Sequence, residues 1–160
     1  MRINQHFTKR VLVSGAAAGV ATTVTALLAG RREAGSYAAP LNATSHAVWG
    51  EAAARQDDVS LKYTGVGLLF NCAASLFWAG FYEKWFASGA GRRQRRAMFR
   101  PLMGAAAVTA GAYVTDYYLV PKRLTPGFEK RVSGKSLATI YGALALGFLV
   151  GSAINERRQG

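Results

Sequence analysis

Four apolar runs, at residues 11–29, 63–82, 102–120 and 137–155, contain between them one charged side chain, Asp116. A helix needs roughly 20 such residues, at about 1.5 Å of rise each, to cross about 30 Å of hydrocarbon. Lys or Arg flanks every run, so the charges lie between the apolar segments and not within them. The pattern predicts an all-α integral membrane protein, one membrane domain over residues 1–160, with four transmembrane helices in a bundle. The first run follows the basic segment "MRINQHFTKR". It is longer than the roughly 7–15 apolar residues of a secretory leader, and so reads as a span.

Composition enters through charge. The net charge is +12, which in a soluble chain would suggest nucleic acid as partner. The densest basic segment, "GRRQRR", has no interleaved aromatic residues on which bases could stack. Arg92, Arg93, Arg95 and Arg96 therefore read as a topology anchor that attracts anionic lipid headgroups, with no nucleic-acid partner. On the side of the termini fall Arg2, Lys9, Arg10, Lys84, Arg92, Arg93, Arg95, Arg96, Arg100, Arg157 and Arg158. Opposite are Arg31, Arg32, Arg55, Lys62, Lys122, Arg123, Lys130, Arg131 and Lys135. This small excess, concentrated in a short loop, places both termini in the cytoplasm.

The two non-cytoplasmic connections carry short interfacial segments, at about 43–55 and 126–133. In the first, Pro40 and Asn42 mark a helix start, and His46, Trp49, Gly50 and Ala53 share a face. In the second, Thr125 is the expected N-cap with Pro126 following, Gly134 closes the helix, and Phe128 and Val132 rest on the membrane surface. Tyr63, Tyr117, Tyr118 and Tyr141 gather at the Asp116 end of the spans, and Tyr82 and Trp85 at the other, as interfacial belts do.

Packing between spans in lipid depends on small residues. Gly15 and Gly19 in the first span and Gly147 and Gly151 in the fourth form small-xxx-small pairs. They fit contacts within the chain or with a second copy. Gly67, Asn71, Ala74 and Trp78 share a face of the second span. The mid-span amide of Asn71 needs a protein partner, and Thr109 on the third span is the expected one. Cys72, the sole cysteine, reads as a small core residue.

Asp116 lies about 6 Å from the end of its helix, four residues before Pro121. Two readings follow: an anchoring pair with Lys122 or Arg123, or a binding or proton-handling role with His46, beside Trp49. No metal constellation, cofactor fingerprint, phosphate loop or nucleophile motif stands in the sequence.

The segments "APLNATSHAVWGEAA", "ASLFWAGFYEKWF" and "DYYLVPKRLTPGFEKR" resemble a group of small four-span inner-membrane proteins of Proteobacteria, over roughly residues 35 to 135. "VPKRLTPGFE" is the most specific part. The resemblance implies a bacterial inner-membrane location and no particular activity. The leading expectation is a non-enzymatic accessory or interaction subunit, with membrane lipids and a second copy or another membrane protein as partners. The alternatives are a small transporter or channel, or a lipid-acting enzyme using Asp116 and His46.

Overall fold

The computed structural model describes residues 5–87 and 94–158, with side chains in the second block from residue 99 onward. Among the described residues all regular structure is helical. The helices are α1 (Gln5–Ala34), α2 (Ala39–Thr44), α3 (His46–Trp49), α4 (Glu51–Ala54), α5 (Val66–Tyr82), α6 (Gln94–Val114) and α7 (Gly134–Arg157). Wider π-turns extend α5 at both ends, and another, Thr115–Leu119, extends α6. Three helices are long and apolar enough to cross a membrane: Gln5–Ala34, Leu61–Ala87 and Gly134–Arg157. The fourth expected span, α6, does not reach that mark, because Arg95, Arg96, Arg100 and Pro101 occupy its first turns and Asp116 the π-turn that prolongs it.

The inner faces of α1 and α5 are made of small and polar residues at a strict spacing of four, and α7 sets Ile140, Leu144 and Phe148 against them. On α1 the small and polar residues are Ser14, Ala18, Thr22, Ala26 and Gly30. On α5 they are Gly67, Asn71, Ser75, Ala79 and, in the π-turn, Glu83. The large apolar residues of these two helices point outward: Leu12, Val20, Leu28, Leu69 and Phe77 are all more than half exposed. A soluble protein has the reverse arrangement. The arrangement here is the one expected of helices in lipid, where contact between backbones decides the packing and small residues permit it.

The glycine pairs lie where helices of the same chain touch. A Cβ on Gly147 would stand 2.3 Å from Ala18 Cα, and one on Gly151 2.3 Å from Ser14 Cα. Gly15 faces α5, its Cβ position 2.6 Å from Leu76 Cδ2, whereas Gly19 has open space out to 3.6 Å. Helix α6 lies against α7 and buries Gly104, Ala105, Val108, Thr109 and Ala112. Phe86 sits on Gly104 and joins α6 to the end of α5. Asn155 donates to the Arg10 carbonyl at 3.1 Å, so the first and last helices meet at one end, here the terminal end. The connections 35–60 and 120–133 meet at the other.

The connection end differs from the sequence expectation. Instead of one surface helix over 43–55, the chain makes three short helices broken at Ser45 and at Gly50, whose φ is +68°. Residues 38–46 are fully buried, wedged between α1 and α5. A Cβ on Gly67 would fall 1.8 Å from the Leu41 carbonyl oxygen, so only glycine lets α2 approach α5 this closely. Asn42 holds the wedge, donating to the Gln56 and Asp58 carbonyls at 2.9 and 3.0 Å and accepting from Thr64 at 2.6 Å.

The expected helix over 126–133 is likewise only a 3₁₀ turn, Phe128–Lys130. Gly127, at φ +82°, turns the chain before it, and Gly134 opens α7 rather than closing a helix. Phe128 and Val132 are buried in the core, not laid on a surface. Arg131 ties the two connections together, donating to the Ala54 carbonyl at 2.8 Å and pairing with Asp57.

Candidate functional site

A cavity of about 280 Å³ opens between α5, α7 and the end of α6. Phe70, Ala74 and Trp78 of α5 form one wall, and Ile140, Tyr141 and Leu144 of α7 the other. These residues meet because α6 touches α5 at Phe86 and Gly104, while at the level of Asp116 the space between them stays open. Thr22, Asn71 and Ser75 lie at the back, and Thr44, Ala47 and residues 124–126 and 128 close the top. The cavity is thus mostly apolar, with a polar end at the connections.

Among the described residues Asp116 is the only charged one lining it. Its Oδ2 accepts the Tyr141 hydroxyl at 2.5 Å, and Tyr113 meets the Tyr141 ring edge-on at 5.4 Å between centroids. Neither expected partner of Asp116 is found. Among the described residues it forms no ion pair. Arg123 donates instead to the Ala47 carbonyl at 3.2 Å, and Lys122 is exposed. His46 is buried, with Nδ1 2.8 Å from the Ala43 carbonyl and Nε2 3.3 Å from that of Lys122. Both ring nitrogens face backbone, so His46 holds the two connections together and does not reach Asp116. Trp49 is drawn elsewhere, donating to the Lys62 carbonyl at 3.1 Å beneath the Lys62 ammonium.

A second carboxylate stands beside the cavity. Glu129 accepts from Thr125 at 2.8 Å and from Tyr117 at 3.1 Å, and it too has no ion pair among the described residues. At the back of the cavity the Ser75 hydroxyl is buried without a hydrogen-bond partner. Asn71 bonds to α1 rather than to Thr109: its Nδ2 donates to Thr23 at 2.9 Å and Thr22 at 3.0 Å. Thr109 keeps an unpartnered buried hydroxyl. Asn71 and Thr109 separate because α5 turns its polar stripe to α1, and α6 turns Thr109 toward α7. Cys72 sits exposed on the outer side of α5.

The terminal end holds a different cluster. Glu83 is fully buried, and Arg10 Nε donates to its Oε2 at 2.8 Å. Ser14 donates to Oε1, and Asn155 Nδ2 lies 3.3 Å from the same oxygen. Arg10 also donates to the Ala87 carbonyl at 3.1 Å. The four residues come from three helices and carry no motif. Their one sequence signal is the four-residue repeat on α5, which puts Glu83 in line with Asn71 and Ser75. The headgroup arginines Arg92, Arg93, Arg95 and Arg96 lie outside the described side chains.

No family model, curated protein or solved structure matches this chain. Fold and site define it as an all-helical protein with three helices able to cross a membrane and a polar-ended cavity between its long helices.

Proposed function

We propose that the chain is a non-enzymatic integral protein of a bacterial inner membrane that holds one amphiphilic molecule in the cavity between its helices. In this reading α6 is a fourth span beside α1, α5 and α7. The termini face the cytoplasm, and the wedged connections form an outer cap. The outward-facing Leu, Val and Phe side chains support the membrane setting. The observation that carries the ligand is the cavity itself, apolar along α5 and α7 and polar where Asp116 and Thr125 meet the cap. Binding pockets have this composition, apolar walls with a few placed polar groups. His46 spends its ring on the Ala43 and Lys122 carbonyls, which favours an accessory or interaction subunit that carries or senses the amphiphile over an enzyme that transforms it.

Two experiments test this. Native mass spectrometry of the purified protein in mild detergent should find one amphiphile per chain. Ala74→Trp, which fills the cavity from an exposed wall position, should remove it; a variant that retains the molecule refutes the site. For the membrane setting, reporters fused at Gly91 and at the C-terminus should read as cytoplasmic and one at Arg55 as external. A cytoplasmic signal at Arg55 would overturn the four-span arrangement.

A further inference from the structure

Resting on that reading, we propose that the head of the bound amphiphile is a primary ammonium, held by Asp116 with Glu129 behind it. Two observations point to a cationic head, and a third to the cavity having an occupant. First, the fully buried acid of the described residues is matched: Glu83 has Arg10, with Ser14 and Asn155 completing its shell, whereas Asp116 is half-buried at the cavity and Glu129 exposed beside it. Asp116 and Glu129 have only hydroxyl partners, Tyr141 for the first and Thr125 and Tyr117 for the second. In a chain of net charge +12, a half-buried carboxylate at a cavity with no ion pair among the described residues, and a second acid close by, mark a place open to a cation from outside. Second, the basic residues near them in sequence bond elsewhere, Lys130 to Glu51 among them. Arg123 bonds to the Ala47 carbonyl, and Lys122 presents its carbonyl, not its ammonium, to His46.

Third, the far end of the same cavity contains the unpartnered, buried Ser75 hydroxyl. That hydroxyl is open to a polar atom of an occupant, such as an ester oxygen of a phospholipid, and an alkyl chain alone would leave it unpaired. One hydroxyl from Tyr141 uses one lone pair of Asp116; an ammonium brings three donors and a full charge. It would neutralise the carboxylate in a setting where an unpaired charge is costly. A hydroxyl head would leave that charge in place, and a carboxylate or phosphate directly at Asp116 would be repelled. The apolar tail would run along Phe70, Ala74, Trp78 and Leu144. The same chemistry could come from a single-chain amine or from the amine of a two-chain phospholipid.

The test uses the full chain in mild detergent and native mass spectrometry. Probes are dodecylamine, dodecanol and dodecanoate, then phosphatidylethanolamine against phosphatidylglycerol. Dodecylamine should bind one per chain and outcompete the alcohol and the acid by at least about tenfold, the equivalent of one charge-assisted hydrogen bond. Asp116→Asn should erase that preference, and Glu129→Gln, at a residue outside the packed core, should weaken it. A melting curve confirms that each variant is folded. If dodecanol binds as well as dodecylamine, or if both variants keep the preference, the ammonium assignment is wrong. The cavity reading then still stands, provided that Ala74→Trp blocks every probe. If Ala74→Trp leaves dodecylamine bound, both readings fall. A preference for phosphatidylethanolamine over phosphatidylglycerol assigns the amine to a phospholipid, and equal weak binding of the two assigns it to a single-chain amine.

Discussion

Glu83 and Asp116 occupy similar local positions at opposite ends of the protein. Each stands in a π-turn that prolongs a long helix, Glu83–Ala87 after α5 and Thr115–Leu119 after α6. Their surroundings differ completely. Glu83 is closed off, with Arg10, Ser14 and Asn155 drawing α1, α5 and α7 together. Asp116 has Tyr141 and an open cavity. The terminal end is tight because Gly147 and Gly151 bring α7 onto the backbone of α1. The connection end is loose where α6 leaves α5, and the wedge of residues 38–46 fills only part of the gap. An acid that is fully satisfied by its own chain pins helices; the same acid with spare acceptor capacity at a cavity is available to a ligand.

The strongest way to break this contrast is Glu83→Gln. It leaves the Arg10 guanidinium without its charge partner, so stability should fall by about 3 kcal/mol, as for other broken buried pairs. Unfolding in detergent measures it; a loss under about 1 kcal/mol, the range of solvated pairs, would make the two acids alike.

Gly151→Ala comes next. Its Cβ would collide with Ser14 Cα at 2.3 Å and push Ser14 off Glu83, at a cost of about 2 kcal/mol. The matching control is Gly19→Ala, whose nearest neighbour is 3.6 Å away and which should stay within about 0.5 kcal/mol. Equal melting of the two variants would show that close packing is not what separates them.

At the other end, Asp116→Asn should cost no more than about 1 kcal/mol, since an amide oxygen still accepts the Tyr141 hydroxyl. Its effect belongs on ligand binding instead. A large drop in melting temperature would move Asp116 into the same structural class as Glu83.

The smallest effect concerns the cap. The Lys130 ammonium, 2.6 Å from Glu51, holds that carboxyl below its ordinary value of 4.5. A depressed acid contributes its stability above its unfolded value and loses it as pH falls through the folded one. A slight fall in melting temperature below pH 4.5 should therefore be reduced in Glu51→Gln, and an identical pH profile would remove this pair from the cap's stability.

Much of the architecture could be read without a structure. The four long helices fall on the four apolar runs, and Gly15, Gly147 and Gly151 lie at contacts between helices. Asp116 stood out because a charge in an apolar run is rare whatever surrounds it. The partners were not legible. Asn71 was expected at Thr109 and bonds to α1; His46 was expected near Asp116 and bridges two carbonyls. Glu83, which no motif singles out, is the most enclosed acid of the described residues.

The division has a physical cause. Whether a segment becomes an apolar helix depends on its own residues, on their length, their hydropathy and the lack of charge, so sequence alone determined the long helices and the fitness of three of them for a membrane. Which polar group meets which depends on how the helices rotate and tilt against one another. That is set by contacts a few ångströms wide between residues far apart in the chain, such as Gly151 on Ser14 and Gly67 on Leu41. Those contacts exist only after the helices have packed, and so the tertiary structure alone decided that one acid is sealed and the other faces a cavity.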